Sequence, residues 1–454
     1  MSADTGIAAE VALYETRQKV YPREVDGRYT RLRRLAAFTL LTVFYGLPWL
    51  HWDGHQAVLF DLPARKFHVF SLTLWPQDFL WLCWLLIMAA LTLFFVTAIA
   101  GRIWCGYACP QTVWTEAFLG IERLVEGKRP QRMKFDARAW TGEWVARKAA
   151  KQLLWILLAI FTGFSFVAYF TPARELAARL AALDLGGWES FWVLFYGFAT
   201  YGNAGFLREQ VCRYMCPYAR FQSAMFDHDT LIVSYDQRRG EPRGAGRRGA
   251  DRRAAGPGDC VDCTICVQAC PTGIDIRQGL QYECIACAAC VDACDAVMDK
   301  VGLPRGLIRY ATENQLAGRR THHLRPRVIA YGALLAALAA GFVTTLALRA
   351  PAAVDVIRDR NALWRTLPDG RIENVYSLRI LNKDSSAHRW VVETEPRGAE
   401  VIAEPVVVPA GGVGIVPVRL RSAPPVFDFV VTASDAEGIS ARRESRFISP
   451  ESVP

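Results

Sequence analysis

Two runs of four closely spaced cysteines constrain this chain more than any other feature. Each run follows the pattern C-x2-C-x2-C-x3-C, first at Cys260, Cys263, Cys266 and Cys270, then at Cys284, Cys287, Cys290 and Cys294. This spacing is typical of bacterial ferredoxins with two 4Fe-4S clusters, in which the fourth cysteine of each run binds the other run's cluster. The crossed arrangement predicts one cluster on Cys260, Cys263, Cys266 and Cys294, and the other on Cys284, Cys287, Cys290 and Cys270.

The two runs differ at their ends. Cys270 is followed by Pro271, whereas Cys294 is followed by Asp295. The change alters the local turn but removes no ligand, and the carboxylate of Asp295 should lower the reduction potential of the nearby cluster. A pair of zinc sites is the alternative, although zinc proteins rarely use four cysteines in so compact a run.

The composition indicates a membrane protein with soluble appendages. The chain has 454 residues, of which 52% are hydrophobic, and a formal net charge of +9. Its basic residues concentrate beside apolar runs, as the positive-inside rule requires, and no recognition motif accompanies them, so we expect no nucleic-acid partner. The 13 cysteines stand mostly in short motifs, which is typical of metal ligation in a reducing compartment.

Five apolar runs approach the length of about 20 residues that a helix needs to cross a bilayer. They are Leu35 to Leu50, Phe79 to Ala100, Ala150 to Phe170, Ser190 to Leu207 and Val328 to Leu348. The fourth is the weakest because it contains Thr200, Gly202 and Asn203, and a re-entrant or partly unwound helix is its alternative. We therefore predict an α-helical transmembrane bundle of about five helices in a lipid bilayer.

Four further cysteines form two C-x3-C-P motifs, each directly after a membrane run. They are Cys105 and Cys109, before Pro110, and Cys212 and Cys216, before Pro217. Proline disfavours a helix at the preceding residue, so each motif is predicted to end its helix and present sulfur in a turn at the cytoplasmic membrane surface. If the pairs meet, four thiols would suit a soft ion such as Cu(I), a redox-active dithiol or another metal centre. Packing of free cysteines is the alternative.

Other candidate residues carry weaker signals. Cys83 lies alone in the second apolar run and is predicted to be a core residue. Asp53, His55 and His68 could bind an external metal ion, on spacing alone. No pair of intramembrane histidines has the spacing that haem ligation needs, so haem within the bilayer is not expected.

Basic residues in the short loops predict the orientation. They cluster before the first run and between the second and third, at Arg31, Arg33, Arg34, Arg123, Lys128, Arg129, Arg132, Lys134, Arg147, Lys148 and Lys151. Those segments are therefore cytoplasmic, and an odd number of crossings places everything after Leu348 outside. In a bacterial inner membrane, this multi-pass arrangement leaves the N-terminus and the ferredoxin motifs in the cytoplasm and the C-terminal domain in the periplasm.

These features give a domain plan in seven parts. They are a cytoplasmic tail, 1–34; four transmembrane helices with the first C-x3-C-P motif, 35–207; the second motif and a Gly/Arg-rich linker, 208–259; a ferredoxin domain, 260–300; a linker, 301–327; a fifth transmembrane helix, 328–348; and a C-terminal domain, 352–454. The last part alternates short strands with turn residues, which predicts an all-β immunoglobulin-like sandwich.

The segment from Arg102 to Thr112, the matching motif from Cys212 to Pro217, the ferredoxin motifs and the β-rich tail together resemble the cytochrome c oxidase accessory proteins of the CcoG family, also called FixG or RdxA. The resemblance covers nearly the whole chain, and the order of its cysteine motifs is the specific part. It implies an enzyme, a cupric reductase that converts Cu(II) to Cu(I) during assembly of the cbb3-type oxidase.

The resemblance also implies roles for single residues. It places copper, as substrate or transient ligand, at Cys105, Cys109, Cys212 and Cys216, and two 4Fe-4S clusters on the eight ferredoxin cysteines. The implied partners are a cytoplasmic electron donor, a copper carrier or exporter, and subunits of the oxidase.

Two other functions fit the same motifs. One is a quinol-oxidising electron-transfer subunit of the NapH type, since such membrane ferredoxin proteins share the C-x3-C-P pairs. The other is a non-enzymatic assembly scaffold whose outer domain grips an oxidase subunit while the clusters sense redox state.

Overall fold

The computed structural model describes residues 19–138, 140–244, 258–359, 363–384, 386–395, 399–423 and 427–449. The chain forms two compact units, each built from segments that are distant in sequence. The first unit comprises Met1–Leu50 and Leu85–Ala336, and the second comprises His51–Trp84 and Ala337–Pro454. Most of the predicted Gly/Arg-rich linker, residues 245–257, lies outside the described residues.

The described α-helices are α1 (Arg28–Gly46), α2 (Phe79–Ala100), α3 (Ile103–Tyr107), α4 (Pro110–Glu126), α5 (Arg129–Asp136), α6 (Gly142–Val167), α7 (Ala173–Ala181), α8 (Gly187–Thr200), α9 (Pro217–Ala224), α10 (Gln237–Gly240), α11 (Ile265–Ala269), α12 (Ala289–Val301), α13 (Glu313–Leu316) and α14 (Pro326–Ala347). Two π-helical segments, Tyr201–Leu207 and Val211–Met215, lie between α8 and α9. Short 3-10 turns cover Leu47–Trp49, Pro76–Asp78 and Ile276–Gln278.

The described strands are β1 (His51–Trp52), β2 (His55–Gln56), β3 (Val58–Asp61), β4 (Lys66–Val69), β5 (Leu72–Leu74), β6 (Ile232–Tyr235), β7 (Ile308–Ala311), β8 (Ala352–Arg358), β9 (Arg365–Thr366), β10 (Ile372–Asn382), β11 (His388–Glu395), β12 (Glu400–Ile402), β13 (Val406–Val408), β14 (Val413–Ser422), β15 (Phe427–Ser434) and β16 (Ser440–Phe447). All their pairings are antiparallel.

Three of the described helices are long and apolar enough to cross a membrane, namely α2, α6 and α14. They coincide with the second, third and fifth apolar runs of the sequence. The first run lies in α1, whose N-terminal half carries Arg31, Arg33 and Arg34. The fourth run forms α8, which has only 14 residues before the chain continues as a π-helix. A count of five transmembrane helices therefore remains a prediction, and the irregular end of the fourth run agrees with its alternative as a partly unwound helix.

Helices α6 and α8 approach closely at two glycines. A Cβ atom at Gly163 would clash with the backbone oxygen of Val193, and one at Gly197 would lie 3.1 Å from the Cδ1 atom of Ile160. Small residues allow such backbone contact between helices in a bilayer, where dispersion rather than hydrophobic burial drives association. The irregular fourth run is thus held against the regular helix α6.

A two-stranded sheet joins the two ends of the cysteine-rich segment in the first unit. Strand β6 pairs with β7, with Ile232 opposite Ala311 and Tyr235 opposite Ile308. These strands flank the eight cysteines on both sides, and their side chains join the hydrophobic core around α12. The segment 301–327, predicted as a linker, therefore carries β7 and the short helix α13.

Helix α12 also caps the first helix of the chain. The buried carboxylate of Asp292 accepts hydrogen bonds from the backbone nitrogen atoms of Tyr29 (3.2 Å) and Thr30 (2.7 Å), and from the Thr30 hydroxyl (2.8 Å). The first amides of a helix lack intrahelical partners and favour a negative charge, so Asp292 stabilises the start of α1.

Replacing Asp292 with Ala should destabilise this junction, because the amides at the start of α1 lose their charged acceptor. Hydrogen bonds to a charged group contribute about 1.5–3 kcal/mol, so the thermal transition of the purified protein should fall by several degrees. Hydrogen exchange should also accelerate at the Tyr29 and Thr30 amides. The matched control is Asp299→Ala on the same helix, where an exposed carboxylate pairs with Arg305. Equal behaviour of the two variants would contradict the capping role.

The second unit contains the C-terminal β-domain. One sheet has the order β12-β14-β10-β8, with β9 also pairing with β10, and the other has the order β13-β11-β15-β16. Inward-facing residues of both sheets form one core, in which the rings of Tyr376 and Phe429 meet edge to face and Trp390 is fully buried. This region therefore has the two-sheet arrangement of a sandwich, as the alternation of short strands and turn residues predicted.

The segment between the first and second apolar runs belongs to the same unit. It forms a β1-β2 pair and a β3-β4-β5 sheet. At its end, the Asp78 carboxylate pairs with Arg349 at 2.8 Å and with Lys383 at 3.0 Å, and all three side chains are nearly buried. This charged contact ties the start of α2 to the beginning of the β-domain.

Candidate functional site

The eight ferredoxin cysteines line two adjacent cavities in the first unit. One is lined by Cys260, Cys263, Cys266 and Cys294, together with residues such as Tyr235 and Val297. The other is lined by Cys270, Cys284, Cys287 and Cys290, and Cys266 also reaches it. The fourth cysteine of each run therefore lies with the first three of the other run. This is the crossed grouping that the spacing predicts.

Both cysteine loops share an uncommon backbone conformation. Asp262 and Thr264 in the first loop, and Ala286 and Ala288 in the second, have φ angles between +52° and +56°. Left-handed conformations are uncommon for residues other than glycine and cluster at functional sites. Their recurrence at matching positions, directly before and directly after the second cysteine of each run, means that both loops curl in the same way around their cavities.

The donor set of each cavity fits a 4Fe-4S cluster. Such a cluster is held by four cysteine thiolates. One cavity offers Cys260, Cys263, Cys266 and Cys294, and the other offers Cys270, Cys284, Cys287 and Cys290. Each group of four thus supplies the ligands for one cluster.

Burial keeps several of these thiols protonated until a metal displaces the proton. Burial raises the pKa of Cys284 and of Cys294 to about 12 each, with neighbouring thiolates adding to the effect. It raises the pKa of Cys266 to about 11, although Arg277 acts in the opposite direction. Ligation requires the thiolate, so cluster insertion at these positions must release protons.

The C-x3-C-P motifs form junctions between helices. Cys105 lies in α3, whereas Cys109 has an extended backbone and directly precedes α4, which begins at Pro110. Cys212 lies in the second π-helical segment, whereas Cys216 is extended and precedes α9, which begins at Pro217. Proline fits the first position of a helix because its missing N–H has no partner there anyway. Each motif thus ends one helix, as predicted, and starts another.

The structure brings the two motifs together. Cys212 of the second motif packs against the hydrophobic cluster that contains Cys105 of the first. Burial, with contributions from the charges of Cys109, Cys105 and Cys216, raises the pKa of Cys212 to about 12. Burial likewise raises the pKa of Cys105 and Cys109, while Arg102 acts to lower both. We call these four thiols and the neighbouring Arg102 guanidinium the thiol pocket.

The thiol pocket adjoins the second group of ferredoxin cysteines. A Cβ atom at Gly106 would lie 2.8 Å from the backbone oxygen of Ile285 and 2.9 Å from the Cα atom of Cys287. Cys105 packs in one hydrophobic cluster with Ile285 and Cys287, and Cys212 packs against this cluster. Only glycine at position 106 permits this backbone contact, so the pocket and the loop of Cys287 lie side by side.

Two polar residues of the pocket were not found from the sequence. Arg102 is buried and donates a hydrogen bond to the backbone oxygen of Tyr282 in the second cysteine loop. The Cys105 thiol donates to Oε1 of Gln222 at 3.2 Å. Arg102 stands next to the first motif, which is a usable signal, whereas Gln222 is 117 residues from Cys105 and gives none.

The weaker candidates lie in the second unit. The rings of His55 and His68 are 4.3 Å apart, centroid to centroid, but neither these residues nor Asp53 belongs to a group of three potential ligands in the described part of the chain. Cys83 is half-buried within α2.

Protein-family models match the segments that carry these motifs. A model described as a 4Fe-4S dicluster domain matches residues 207–313, and one described as a 4Fe-4S binding domain matches residues 80–129. A third, an IG-like fold at the C-terminus of FixG, matches residues 342–450. Together these segments contain all 12 motif cysteines and the β-domain.

Curated relatives align with most of the chain. The nitrogen fixation protein FixG of Rhizobium meliloti is 40% identical over 421 residues, which cover 84% of this chain and 80% of that protein. Protein RdxB of Cereibacter sphaeroides is 41% identical over 395 residues, covering 84% and 83%, and protein RdxA of the same organism is 41% identical over 400 residues, covering 83% and 82%.

A crystal structure of a FixG-related protein from Vibrio parahaemolyticus also matches a part of the chain. It is 26% identical, covers 22% of this chain and 97% of that one, and has a TM-score of 0.20.

Proposed function

Since the chain belongs to the FixG family and is an iron–sulfur electron-transfer protein, we propose that it is a cupric reductase that converts Cu(II) to Cu(I) for assembly of a cbb3-type oxidase. Copper is the substrate and meets the thiol pocket of Cys105, Cys109, Cys212 and Cys216. The eight ferredoxin cysteines hold two 4Fe-4S clusters, which supply single electrons when bound.

The contact between the thiol pocket and the Cys287 loop is the observation that carries this proposal. Gly106 and Cys105 touch the loop that would hold one cluster, so the electron needs no movement of either part to pass between them. Each Cu(II) takes one electron, and no covalent bond of the protein need break. Thiolate sulfur is a soft ligand that prefers Cu(I) over Cu(II), which makes the reduction more favourable at this pocket than in water.

The proposed orientation also has structural support. The segment after the first apolar run and the C-terminal domain belong to one unit and are joined by the contacts of Asp78, which is the arrangement expected if both face the periplasm. The N-terminal segment and the cysteine loops belong to the other unit, joined by Asp292, as expected if both face the cytoplasm. A cytoplasmic donor would then reduce the clusters, and a copper carrier or exporter would take the product.

Purified protein tests the proposal directly. The protein, reduced under anaerobic conditions and freed of reductant, is mixed with Cu(II) in the presence of a Cu(I)-specific chelator. We expect about two Cu(I) ions per chain and simultaneous reoxidation of the cluster absorbance, because each of two clusters gives one electron. Clusters that stay reduced in the presence of Cu(II) would refute the proposal. Iron and sulfide analysis of the same sample should give about eight of each, and about 12 would mean that the thiol pocket holds a third cluster instead.

A second function, quinol oxidation, is favoured by a cavity beside the thiol pocket. Arg33, Tyr107, Gln111 and Glu116 contribute polar groups to its wall, and Cys212 and Ile285 close it towards the pocket and the second cysteine loop. Such a mixture of apolar surface and a few convergent polar groups suits a small redox-active ligand. Anaerobic incubation of oxidised protein with a quinol analogue distinguishes the functions, since bleaching of the clusters by quinol would favour this one.

A further inference from the structure

Carboxylates surround His388 in the C-terminal β-domain, far along the chain from the motif cysteines. His388 is the first residue of β11, and Asp435 and Glu437 lie in the turn between β15 and β16. One potential ligand atom from each of these three residues lies within 4.8 Å of the other two. The His388 Nδ1 atom is 2.6 Å from Oδ2 of Asp435 and 3.9 Å from Oε2 of Glu437.

The turn holds the Asp435 carboxylate in place with one oxygen atom and leaves the other without a hydrogen bond. Oδ1 accepts from the backbone nitrogen atoms of Glu437 (3.1 Å) and Ile439 (2.7 Å). Oδ2 is buried and accepts no hydrogen bond, and the whole side chain is only 2% exposed. A buried carboxylate oxygen that accepts no hydrogen bond is costly, so this atom favours a neighbouring cation, either a metal ion or a protonated His388.

The distances from His388 Nδ1 allow one ion to contact all three residues. With bonds of about 2.0–2.2 Å, two ligand atoms of one ion lie no more than about 4.2–4.4 Å apart. The distances of 2.6 Å to Asp435 and 3.9 Å to Glu437 satisfy this limit. The 2.6 Å contact equally fits an ion pair between a protonated imidazole and the carboxylate.

The other ring nitrogen of His388, Nε2, is held by polar neighbours that fix the orientation of the ring. Nε2 lies 2.8 Å from Oδ2 of Asp384 and 3.0 Å from the hydroxyl oxygen of Ser386. A histidine that binds a metal through one nitrogen commonly donates its other N–H to a carboxylate, which fixes the ring and its tautomer. Asp384 therefore acts as a positioning residue that leaves Nδ1 free to face Asp435 and Glu437.

We propose that His388, Asp435 and Glu437 bind a divalent transition-metal ion. Imidazole nitrogen with two carboxylates suits Zn(II) or Cu(II), whereas Ca(II) and Mg(II) prefer oxygen ligands alone. The ligand set contains no thiol, so the site is chemically separate from the cysteine pocket and independent of its proposed function. A proton is the competing occupant, in which case His388 would be a histidinium paired with its carboxylates.

Zinc is the appropriate probe because it undergoes no redox change. The full-length protein is equilibrated with a buffered low concentration of Zn(II) in the presence of excess Mg(II), and bound zinc is measured by elemental analysis. We expect the unsubstituted protein to retain one zinc ion more than Asp435→Asn, which keeps the turn's hydrogen-bond acceptor but loses the negative charge. Glu437→Gln should weaken zinc binding about 10-fold or more.

Two variants and one spectroscopic measurement keep the test decisive. Glu437 is 74% exposed, so its substitution should not disturb folding even if Asp435→Asn does. The exposed Glu404 of the same domain supplies the matched control, Glu404→Gln, which removes the same charge and should bind zinc normally. X-ray absorption of the additional zinc should show nitrogen and oxygen neighbours without sulfur. Equal zinc content in the unsubstituted protein, Asp435→Asn and Glu437→Gln would overturn the proposal and leave a histidinium ion pair only.

Discussion

Replacing Cys105 and Cys109 together with serine is expected to abolish the reduction of Cu(II) while leaving the two ferredoxin clusters intact. Serine keeps the size and the polarity of the side chain but offers a hard oxygen atom, which does not stabilise Cu(I) as sulfur does. The electron would then lack an acceptor held next to the Cys287 loop, and loss of such positioning lowers a rate by about 100-fold or more. The measurement is the initial rate of Cu(I) formation by pre-reduced protein, with iron content and visible absorbance recorded on the same sample.

The control for this experiment is Cys83→Ser, which removes a half-buried thiol that belongs to none of the motifs. Its rate should equal that of the unsubstituted protein. Substitution of Cys212 and Cys216 should reproduce the loss, because Cys212 packs against the cluster that contains Cys105. A double variant of Cys105 and Cys109 that reduces copper at the normal rate would show that copper takes its electron elsewhere, for example directly from an exposed cluster.

Substitution of single ferredoxin cysteines should remove one cluster and spare the other, in pairs that cross the two sequence motifs. Cys263→Ala and Cys294→Ala come from different motifs but line the same cavity, and so they should leave the same residual cluster. Cys270→Ala and Cys284→Ala should leave the other one. In each variant we expect iron to fall from about eight to about four atoms per chain, because a cubane normally needs all four thiolates.

Electron paramagnetic resonance of the reduced variants distinguishes the pairings. Identical spectra for Cys263→Ala and Cys294→Ala, different from the shared spectrum of Cys270→Ala and Cys284→Ala, are the expected result. Matching spectra within a motif, for example in Cys263→Ala and Cys270→Ala, would instead mean that each run binds its own cluster. Cys263 is exposed, so its variant should fold even if a buried position does not tolerate the change.

The local parts of the site could be predicted because they depend on short spacings. Two-residue gaps between cysteines permit few backbone paths, so the spacing of Cys260, Cys263 and Cys266 indicates a cluster loop without knowledge of the rest of the fold. The end of each C-x3-C-P helix follows equally from the geometry of proline at positions 110 and 217. In these cases the chemistry and the conformation lie within one turn of chain.

The parts that depend on distant contacts could not be predicted in this way. The sequence allowed the two C-x3-C-P motifs to meet but gave no reason for Gly106 to touch the loop of Cys287, which is 181 residues away. Gly106 is one of 34 glycines, and only the packed structure shows which of them is needed for close approach. The pairing of β6 with β7 is similar, because short strands in a polar segment have many alternative partners.

In the membrane region, the prediction was limited by what hydropathy can detect. Hydropathy identified α2, α6 and α14 because each contains an apolar stretch long enough to cross a bilayer. It is less informative for α1, where arginines precede the apolar run, and for the fourth run, where polar residues follow α8. A hydropathy value averages over many residues, whereas helix packing depends on single residues, such as the glycines at the contact between α6 and α8.

The cap that Asp292 places on α1 links the stability of the N-terminal helix to the supply of iron. Helix α12 carries Asp292 between Cys290 and Cys294, which come from the two different cluster groups. During synthesis α1 leaves the ribosome about 260 residues before Asp292, and metal ligands on both sides of Asp292 would help to hold α12 in place. In iron-starved cells we therefore expect a frayed N-terminal segment that proteases recognise, so that chains without clusters are removed from the membrane.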